Sequence, residues 1–361
     1  MARALVLARK GLYSTPPNPS VGCVLVKDGR VIGEGYHRLA GGPHAEAEAL
    51  AAAGERARGA TAYVSLEPCA HQGRTPPCTE ALLAAGVTRV VAALRDPNPA
   101  VTGGGIETLK RAGVDATVGL LENEAAEINR GFLSRMTRGR PWVTAKLAVS
   151  LDGRTALANG YSKWITGEPA RRDVQRLRAR ASAVVTGIDT VLADDPRLTI
   201  RDASLETCGR QPLRVVLDST LRFPEGAQLA NGEAPTLILA GKDAVASTGK
   251  TVVSGTTVEY VATTAQGLDI AQCLRRLGEL QCNEVLVEAG PRLAGAMLDG
   301  GYVDELVVYF APVLLGDEAR PMLRLPGIEA MSQRMEMEII ETRRVGSDLR
   351  VSLRLRREES D

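Results

Sequence analysis

At 361 residues the chain exceeds one typical domain and reads as two. Its 44 basic and 43 acidic side chains nearly cancel, and only 3% of residues are aromatic, which argues against a nucleic-acid or anionic-membrane partner. No apolar run approaches the ~18 residues of a membrane span, charge interrupts the first ten residues before a signal core can form, and six scattered cysteines lack secreted-scaffold density, so a cytoplasmic, reducing setting is expected.

Ala4, Leu5, Leu7 and Ala8 fit one face of a first helix. Asp28-Gly29 between the apolar runs 22–26 and 31–35 predicts a hairpin. Residues 44–53 read as a helix stopped by Gly54, and 61–66 as a strand delivering Cys69 at its end. A helix over 79–85, stopped by Gly86, puts Cys78 at its N-terminus, where the dipole favours thiolate. Strand 89–94, helix 106–112, strand 115–118 and a closing helix 123–137 follow, an alternation that predicts a three-layer α/β unit.

Arg138-Gly139-Arg140-Pro141 breaks the pattern and divides the chain into 1–139 and 140–361. The second unit alternates again: strand 142–148, helix 170–180, strands 183–186, 213–217 and 236–240, helix 270–280, then strands 284–288 and 305–310. Segments 335–342 and 349–355 flank Gly346-Ser347-Asp348 as a last hairpin. The cysteines outside the motif described next (23, 208, 273 and 282) read as ordinary small buried residues.

His44-Ala45-Glu46, Pro68-Cys69 and Cys78 carry the clearest chemistry. One imidazole and two thiolates suit zinc, and three protein ligands leave the fourth position of a catalytic site open. Zinc so held lowers the pKa of bound water. Glu46, two residues from His44, is placed to move protons, the H-x-E with P-C…C arrangement of nucleobase deaminases. Eight residues separate the cysteines where two are usual, which implies an extra loop over 70–75. The competing reading is a structural zinc staple or a pair of buried thiols, but a staple calls for four protein ligands and no third cysteine lies nearby. All three histidines (His37, His44, His71) fall in this stretch and suggest a polar pocket.

In the second unit, 285–296 runs from an apolar strand into a glycine-flanked helix start, where free N–H groups can meet phosphate. It is not the G-x-G-x-x-G fingerprint, and a plain strand-to-helix turn stays open as the alternative. Leu192-Ala193-Asp194-Asp195-Pro196 and Asp218-Ser219 place polar groups just after apolar segments, where open α/β sheets bind ligands. Arg171, Arg172, Arg176, Arg178 and Arg180 read as a solvated helix face, of which one member is available for a phosphate.

Across nearly the whole chain, blocks of sequence resemble the bifunctional deaminase–reductase family of riboflavin biosynthesis. They include Pro17-Asn18-Pro19, Glu67-Pro68-Cys69-Ala70-His71, Gly73-Arg74-Thr75-Pro76-Pro77-Cys78 and Arg95-Asp96-Pro97-Asn98-Pro99. Ser150-Leu151-Asp152-Gly153-Arg154, Trp164-Ile165-Thr166, 191–196 and Val287-Glu288-Ala289-Gly290-Pro291 continue the resemblance, and the long gap between the cysteines matches the family's own pattern. Similar proteins carry a few residues ahead of Met1, so a short first helix is expected.

The resemblance implies a cytidine-deaminase-like domain over 1–139 and a dihydrofolate-reductase-like domain over 140–361. The first would be a zinc-dependent deaminase of a phosphorylated diaminopyrimidinone, the second an NADPH-dependent reductase of its ribosyl group. His44, Cys69 and Cys78 would hold Zn2+ and Glu46 would transfer protons; Asn18, His37, His71 and Arg74 match deaminase-substrate contacts. Ala148, Trp164, Thr190, Asp194, Ser219 and the run Gly290, Pro291, Arg292, Leu293, Ala294, Gly295, Ala296 match cofactor contacts. Lys146, Ser162, Arg178, Leu198, Arg201 and Glu288 match reductase-substrate contacts. A homo-oligomer is expected. Two other classes compete: a nucleic-acid base or nucleoside deaminase with an accessory domain, which should show a basic patch, and a zinc-stapled interaction protein, against which Glu46 and the histidine cluster count.

Overall fold

Lys27 pairs with Arg30 across a two-residue turn in which Asp28 and Gly29 both take positive φ (50° and 72°), the conformation that matches the twist of a tight hairpin. The computed structural model describes residues 1–70, 76–98, 104–244 and 254–356. It forms two compact units, Met1–Arg140 with Glu206–Arg210, and Pro141–Leu205 with Gln211–Asp361.

The first unit is built on a five-stranded sheet of β1 (Gly22–Lys27), β2 (Arg30–Tyr36), β3 (Thr61–Val64), β4 (Arg89–Ala92) and β5 (Asp115–Val118), in the order β2-β1-β3-β4-β5. β1 pairs antiparallel with β2 and β3, while β3, β4 and β5 run parallel. One apolar cluster joins the sheet to α2 (Ala45–Ala53), α3 (Cys78–Ala84) and α4 (Gly104–Arg111) through Leu25, Val64, Ala49, Leu82 and Ile106. A second gathers Leu5, Ala8, Ala125, Ile128 and Phe132 from α1 (Ala2–Lys10), α5 (Glu122–Ile128) and α6 (Arg130–Arg138). The sheet therefore lies between helical layers, as a cytidine-deaminase-like domain requires. Gly35 is needed for the approach of α2, because a Cβ there would sit 2.5 Å from the carbonyl oxygen of Ala45.

Three local expectations shift. The closing helix 123–137 is two helices, α5 and α6, broken at Asn129 (φ −104°, ψ 17°). The Asn129 side chain accepts from Ser20 N at 2.8 Å and donates to Ser20 O at 3.0 Å, and these two bonds to buried backbone offset the interrupted helix. Strands 61–66 and 89–94 end two residues early, because the chain there turns away to make the loops of the site. Cys208 is exposed, unlike the buried Cys23, Cys273 and Cys282.

The second unit carries a nine-stranded sheet: β6 (Trp142–Ser150), β7 (Ala183–Gly187), β8 (Leu213–Asp218), β9 (Thr236–Gly241), β10 (Thr257–Val261), β11 (Glu284–Val287), β12 (Glu305–Ala311), β13 (Met337–Val345) and β14 (Asp348–Leu355). Its order is β10-β9-β8-β7-β11-β6-β12-β14-β13, parallel except for the last hairpin. The parallel strands are apolar runs such as Val-Leu-Val and Leu-Ile-Leu, as strands covered on both faces should be. Helices α7 (Glu168–Arg180), α8 (Ile188–Asp194), α9 (Ile270–Glu279) and α10 (Pro291–Asp299) accompany it. Strand β10 and helix α8 were not anticipated: β10 is only partly buried, and α8 is a seven-residue helix whose polar end reads as loop. The last hairpin turns on Gly346 (φ 65°) and Ser347, with Val345 opposite Asp348, so Asp348 belongs to the strand. No helix among the described residues is long and apolar enough to cross a membrane.

Candidate active sites

In the first unit three chain segments bring ligand atoms together. His44 is the N-cap of α2, Cys69 follows the end of β3, and Cys78 opens α3. His44 Nδ1 lies 3.2 Å from Cys78 Sγ and 3.5 Å from Cys69 Sγ, and the three ligand atoms all fall within 4.8 Å of one another. Tetrahedral zinc with ordinary Zn–N and Zn–S bonds spaces such atoms by about 3.6 Å, so the donor set and its spread fit the ion. Backbone Cys78 N–H also donates to Cys69 Sγ at 3.4 Å. Hydrogen bonding from Cys78 and then from His44 holds the Cys69 thiol far below its ordinary range, against burial, while the same Cys78 contact and burial push Cys78 up.

Glu46, 3% exposed, stands in the first turn of α2. Burial pushes its carboxyl up, and the Cys69 thiolate adds to this, whereas His44 opposes it. A carboxyl so raised exchanges a proton more readily than an exposed one. His37 is also buried, with Nδ1 2.9 Å from Pro43 O and Nε2 3.0 Å from Asn18 Nδ2, and its ring meets the His44 ring edge-on at 5.4 Å. His71 and Arg74 lie outside the described residues.

Glu67, directly before Pro68-Cys69, has a structural role that the motif does not announce. Its buried carboxylate accepts from Asp96 N at 3.2 Å and Ile106 N at 2.9 Å, fastening the loop after β4 and the start of α4 beside Cys69. The available signal was a carboxylate directly before Pro68-Cys69.

In the second unit the parallel pairing of β11 with β6 sets Val287 opposite Ala145, so Glu288 emerges beside Lys146. Arg178 of α7 reaches Glu288 with Nε at 2.6 Å and Nη2 at 3.0 Å, and Lys146 Nζ stands 3.9 Å from the same carboxylate. Arg178 and Arg201 both donate to Thr199 O. Burial would raise the Glu288 carboxyl, but Arg178, Lys146 and Arg201 outweigh it and the net shift is down. Burial lowers the Lys146 ammonium despite Glu288.

Of the arginine run, Arg178 and Arg180 turn inward to Glu288 and Glu284, and Arg172 and Arg176 stay exposed. Arg171 lies over the exposed Trp164 ring at 4.7 Å. Ala148 is half-buried near the end of β6, Leu198 is buried with φ 54°, and Asp194 is exposed at the end of α8. Ser162, Thr190 and Ser219 are half-buried. Among the described residues, no hydrogen bond or ion pair joins Ser162, Trp164, Thr190, Asp194 or Ser219 to the Lys146–Arg178–Glu288 group. Gly290 caps α10 in extended backbone and Pro291, Arg292, Leu293, Ala294, Gly295 and Ala296 form its first turns, with Gly295 packed so closely that a Cβ would meet Arg324 O at 2.0 Å.

Comparison with known proteins bears on both units. The family model of the RibD C-terminal domain matches residues 141–351, and that of the cytidine and deoxycytidylate deaminase zinc-binding region matches residues 1–94. The riboflavin biosynthesis protein RibD of Escherichia coli is 49% identical over 358 residues, covering 97% of this chain and 96% of that one. The chain belongs to the RibD family. The RibD of Aquifex aeolicus is 41% identical over 97% of the chain and 96% of its own length. Among solved structures, Acinetobacter baumannii RibD superposes with a TM-score of 0.89 at 46% identity, covering 99% of this chain and 98% of that one. A Thermotoga maritima protein described as a diaminohydroxyphosphoribosylaminopyrimidine deaminase and 5-amino-6-(5-phosphoribosylamino)uracil reductase gives 0.86 at 33%, covering 98% and 97%. The RibD family makes this chain an enzyme with a deaminase-type and a reductase-type half.

Proposed function

We propose that the chain carries out two steps of riboflavin biosynthesis. Residues 1–139 remove the 2-amino group of 2,5-diamino-6-(5-phosphoribosylamino)pyrimidin-4(3H)-one by zinc-dependent hydrolysis. Residues 140–361 then use NADPH to reduce the ribosyl side chain of 5-amino-6-(5-phosphoribosylamino)uracil to ribityl. The observation that carries this reading is the convergence of His44 Nδ1, Cys69 Sγ and Cys78 Sγ beside buried Glu46, in a chain similar to RibD over nearly its whole length.

His44, Cys69 and Cys78 would hold the zinc, which when bound lowers the pKa of a water and so provides a nucleophile near neutral pH. Glu46 would take the first proton from that water to a ring nitrogen, and then carry a second, from the hydroxyl left on the attacked carbon, to the departing amine. Asn18, His71 and Arg74 orient the pyrimidine and its ribose phosphate. In the reductase half the cofactor supplies hydride. Lys146, Arg178 and Arg201 against the single carboxylate of Glu288 leave an excess of positive charge, suited to a phosphorylated substrate, with Ser162 and Leu198 completing its contacts. Ala148, Trp164, Thr190, Asp194, Ser219 and 290–296 would hold the cofactor, and the free N–H groups at the start of α10 suit a phosphate. A cytoplasmic homo-oligomer without a nucleic-acid partner completes the reading, the last point supported by near-balanced charge.

Ultraviolet absorbance tests it. The diaminopyrimidinone substrate alone should give the spectral change of deamination with release of ammonia, and added NADPH should then be oxidised. No change without NADPH would remove the deaminase assignment.

A further inference from the structure

Residues 197–201 of the second unit run without helix or strand, and Leu198, Thr199 and Ile200 are buried there. A buried backbone group without a partner is costly, yet among the described residues no backbone–backbone hydrogen bond involves this segment. Long side chains take the place of a neighbouring strand. The Gln211 carboxamide accepts from Ile200 N–H at 2.8 Å and donates to Ile200 O at 2.9 Å. Gln175 of α7 accepts from Arg201 N–H at 2.8 Å, and the fully buried Arg214 of β8 donates to Arg197 O at 3.3 Å.

The segment so held presents one carbonyl and one cation. Thr199 O accepts from Arg178 Nη1 at 3.1 Å and from Arg201 Nη1 at 3.5 Å. Arg178 is also bonded twice to Glu288, so its aim survives a small shift of Thr199. Arg201 has no such second hold. It is exposed, forms no ion pair among the described residues, and its guanidinium is hydrogen-bonded there only to Thr199 O. The direction of that guanidinium therefore depends on where residues 199–201 are fixed.

We infer that Gln211 is a positioning residue of the reductase half: by satisfying both backbone groups of Ile200 it fixes Thr199 O and so aims the Arg201 guanidinium, the cation that no carboxylate neutralises, at an anionic group of the substrate. This rests on the reductase reading of the second unit. Ile200 N–H only donates and Ile200 O only accepts, so a side chain must offer both an acceptor and a donor to replace the missing strand. Gln211 does so without charge, and it acts through Arg201.

Gln211→Met keeps the length of the side chain and removes both hydrogen bonds. The full-length enzyme is assayed for NADPH oxidation with already deaminated substrate in a double-mutant cycle of Gln211→Met, Arg201→Ala and the pair, with the thermal midpoint alongside. Gln211→Met should raise KM for the pyrimidine about 3- to 10-fold, the scale of lost neutral hydrogen bonding. Its kcat and its KM for NADPH should stay within about twofold of wild type, as expected when only uniform binding is lost. The pair should match Arg201→Ala alone within about twofold, because residues acting in series are not additive. Effects that multiply, a fall in kcat with KM unchanged, or a Gln211→Met enzyme that matches wild type would overturn the inference.

Amide hydrogen exchange on the unaltered enzyme covers the case in which Gln211→Met does not fold. The amides of Ile200 and Arg201 should be protected before any substrate is bound and should slow by less than about threefold on its addition. Amides that exchange freely until substrate binds would mean that the substrate, not Gln211, orders the segment, and would sink the idea. If the unaltered enzyme does not oxidise NADPH with the deaminated pyrimidine, the reductase reading itself falls; if it does and the cycle multiplies, only the role of Gln211 falls.

Discussion

Arg178 grips Glu288 with two parallel hydrogen bonds, Nε–H to Oε1 at 2.6 Å and Nη2–H to Oε2 at 3.0 Å, with both side chains about nine-tenths buried. A carboxylate held this way stays ionised inside the second unit, where Lys146 at 3.9 Å, and Arg201 farther off, add to the positive charge around it. Arg178→Met leaves that charge buried with only Lys146 and the more distant Arg201 to face it. Breaking one side of a buried pair costs about 3–5 kcal/mol. Urea denaturation should show a loss of that order, and Glu288→Gln on the same background should recover part of it. A loss below about 1 kcal/mol, the range of an exposed pair, would mean that water reaches Glu288.

Glu46→Gln keeps the shape of the side chain and removes its proton traffic. Deamination should fall by about 10²-fold or more, the scale of general acid–base catalysis, while zinc stays near one per chain and NADPH-dependent reduction is unchanged. Metal analysis beside the two assays checks this; lost zinc would make Glu46 a ligand.

Tyr309 is fully buried in β12 and donates to Asp173 Oδ2 at 2.7 Å, the same carboxylate that Arg343 and Arg350 approach. Burial, followed by the hydrogen bond to Asp173, raises its phenol well above the ordinary value of 10. Above pH 10 the unfolded chain gives up this proton and the folded one keeps it, so the stabilisation is complete below pH 10 and is lost as pH rises toward the folded value. Wild type should lose about 1.4 kcal/mol per pH unit more than Tyr309→Phe above pH 10. Urea midpoints of the two proteins between pH 8 and 11 compare them, and parallel curves would contradict the assignment.

Much of this was legible in the chain because the signals are local. Asp28-Gly29 accepts the left-handed turn that β1 and β2 require, and His44, Glu46, Cys69 and Cys78 carry their chemistry in residue type and spacing. What escaped depends on contacts distant in sequence. Asn129 breaks a plausible helix because its carboxamide is used by Ser20, 109 residues away. Arg178 and Arg180 look like a solvated face until β11 supplies Glu288 and Glu284. The commitment of both His37 nitrogens depends on where Pro43 and Asn18 fall in space. Helix α8 was too short to leave a period.

Stripping the zinc is the most direct test of a chain with two separate chemistries, because His44, Cys69 and Cys78 all lie in the first unit and Lys146, Arg178 and Glu288 in the second. The metal-free protein should no longer deaminate the diaminopyrimidinone, yet should oxidise NADPH at an undiminished rate when given already deaminated substrate. Restored zinc should bring back deamination alone. Loss of both activities together on metal removal would mean a single composite site and would contradict the account.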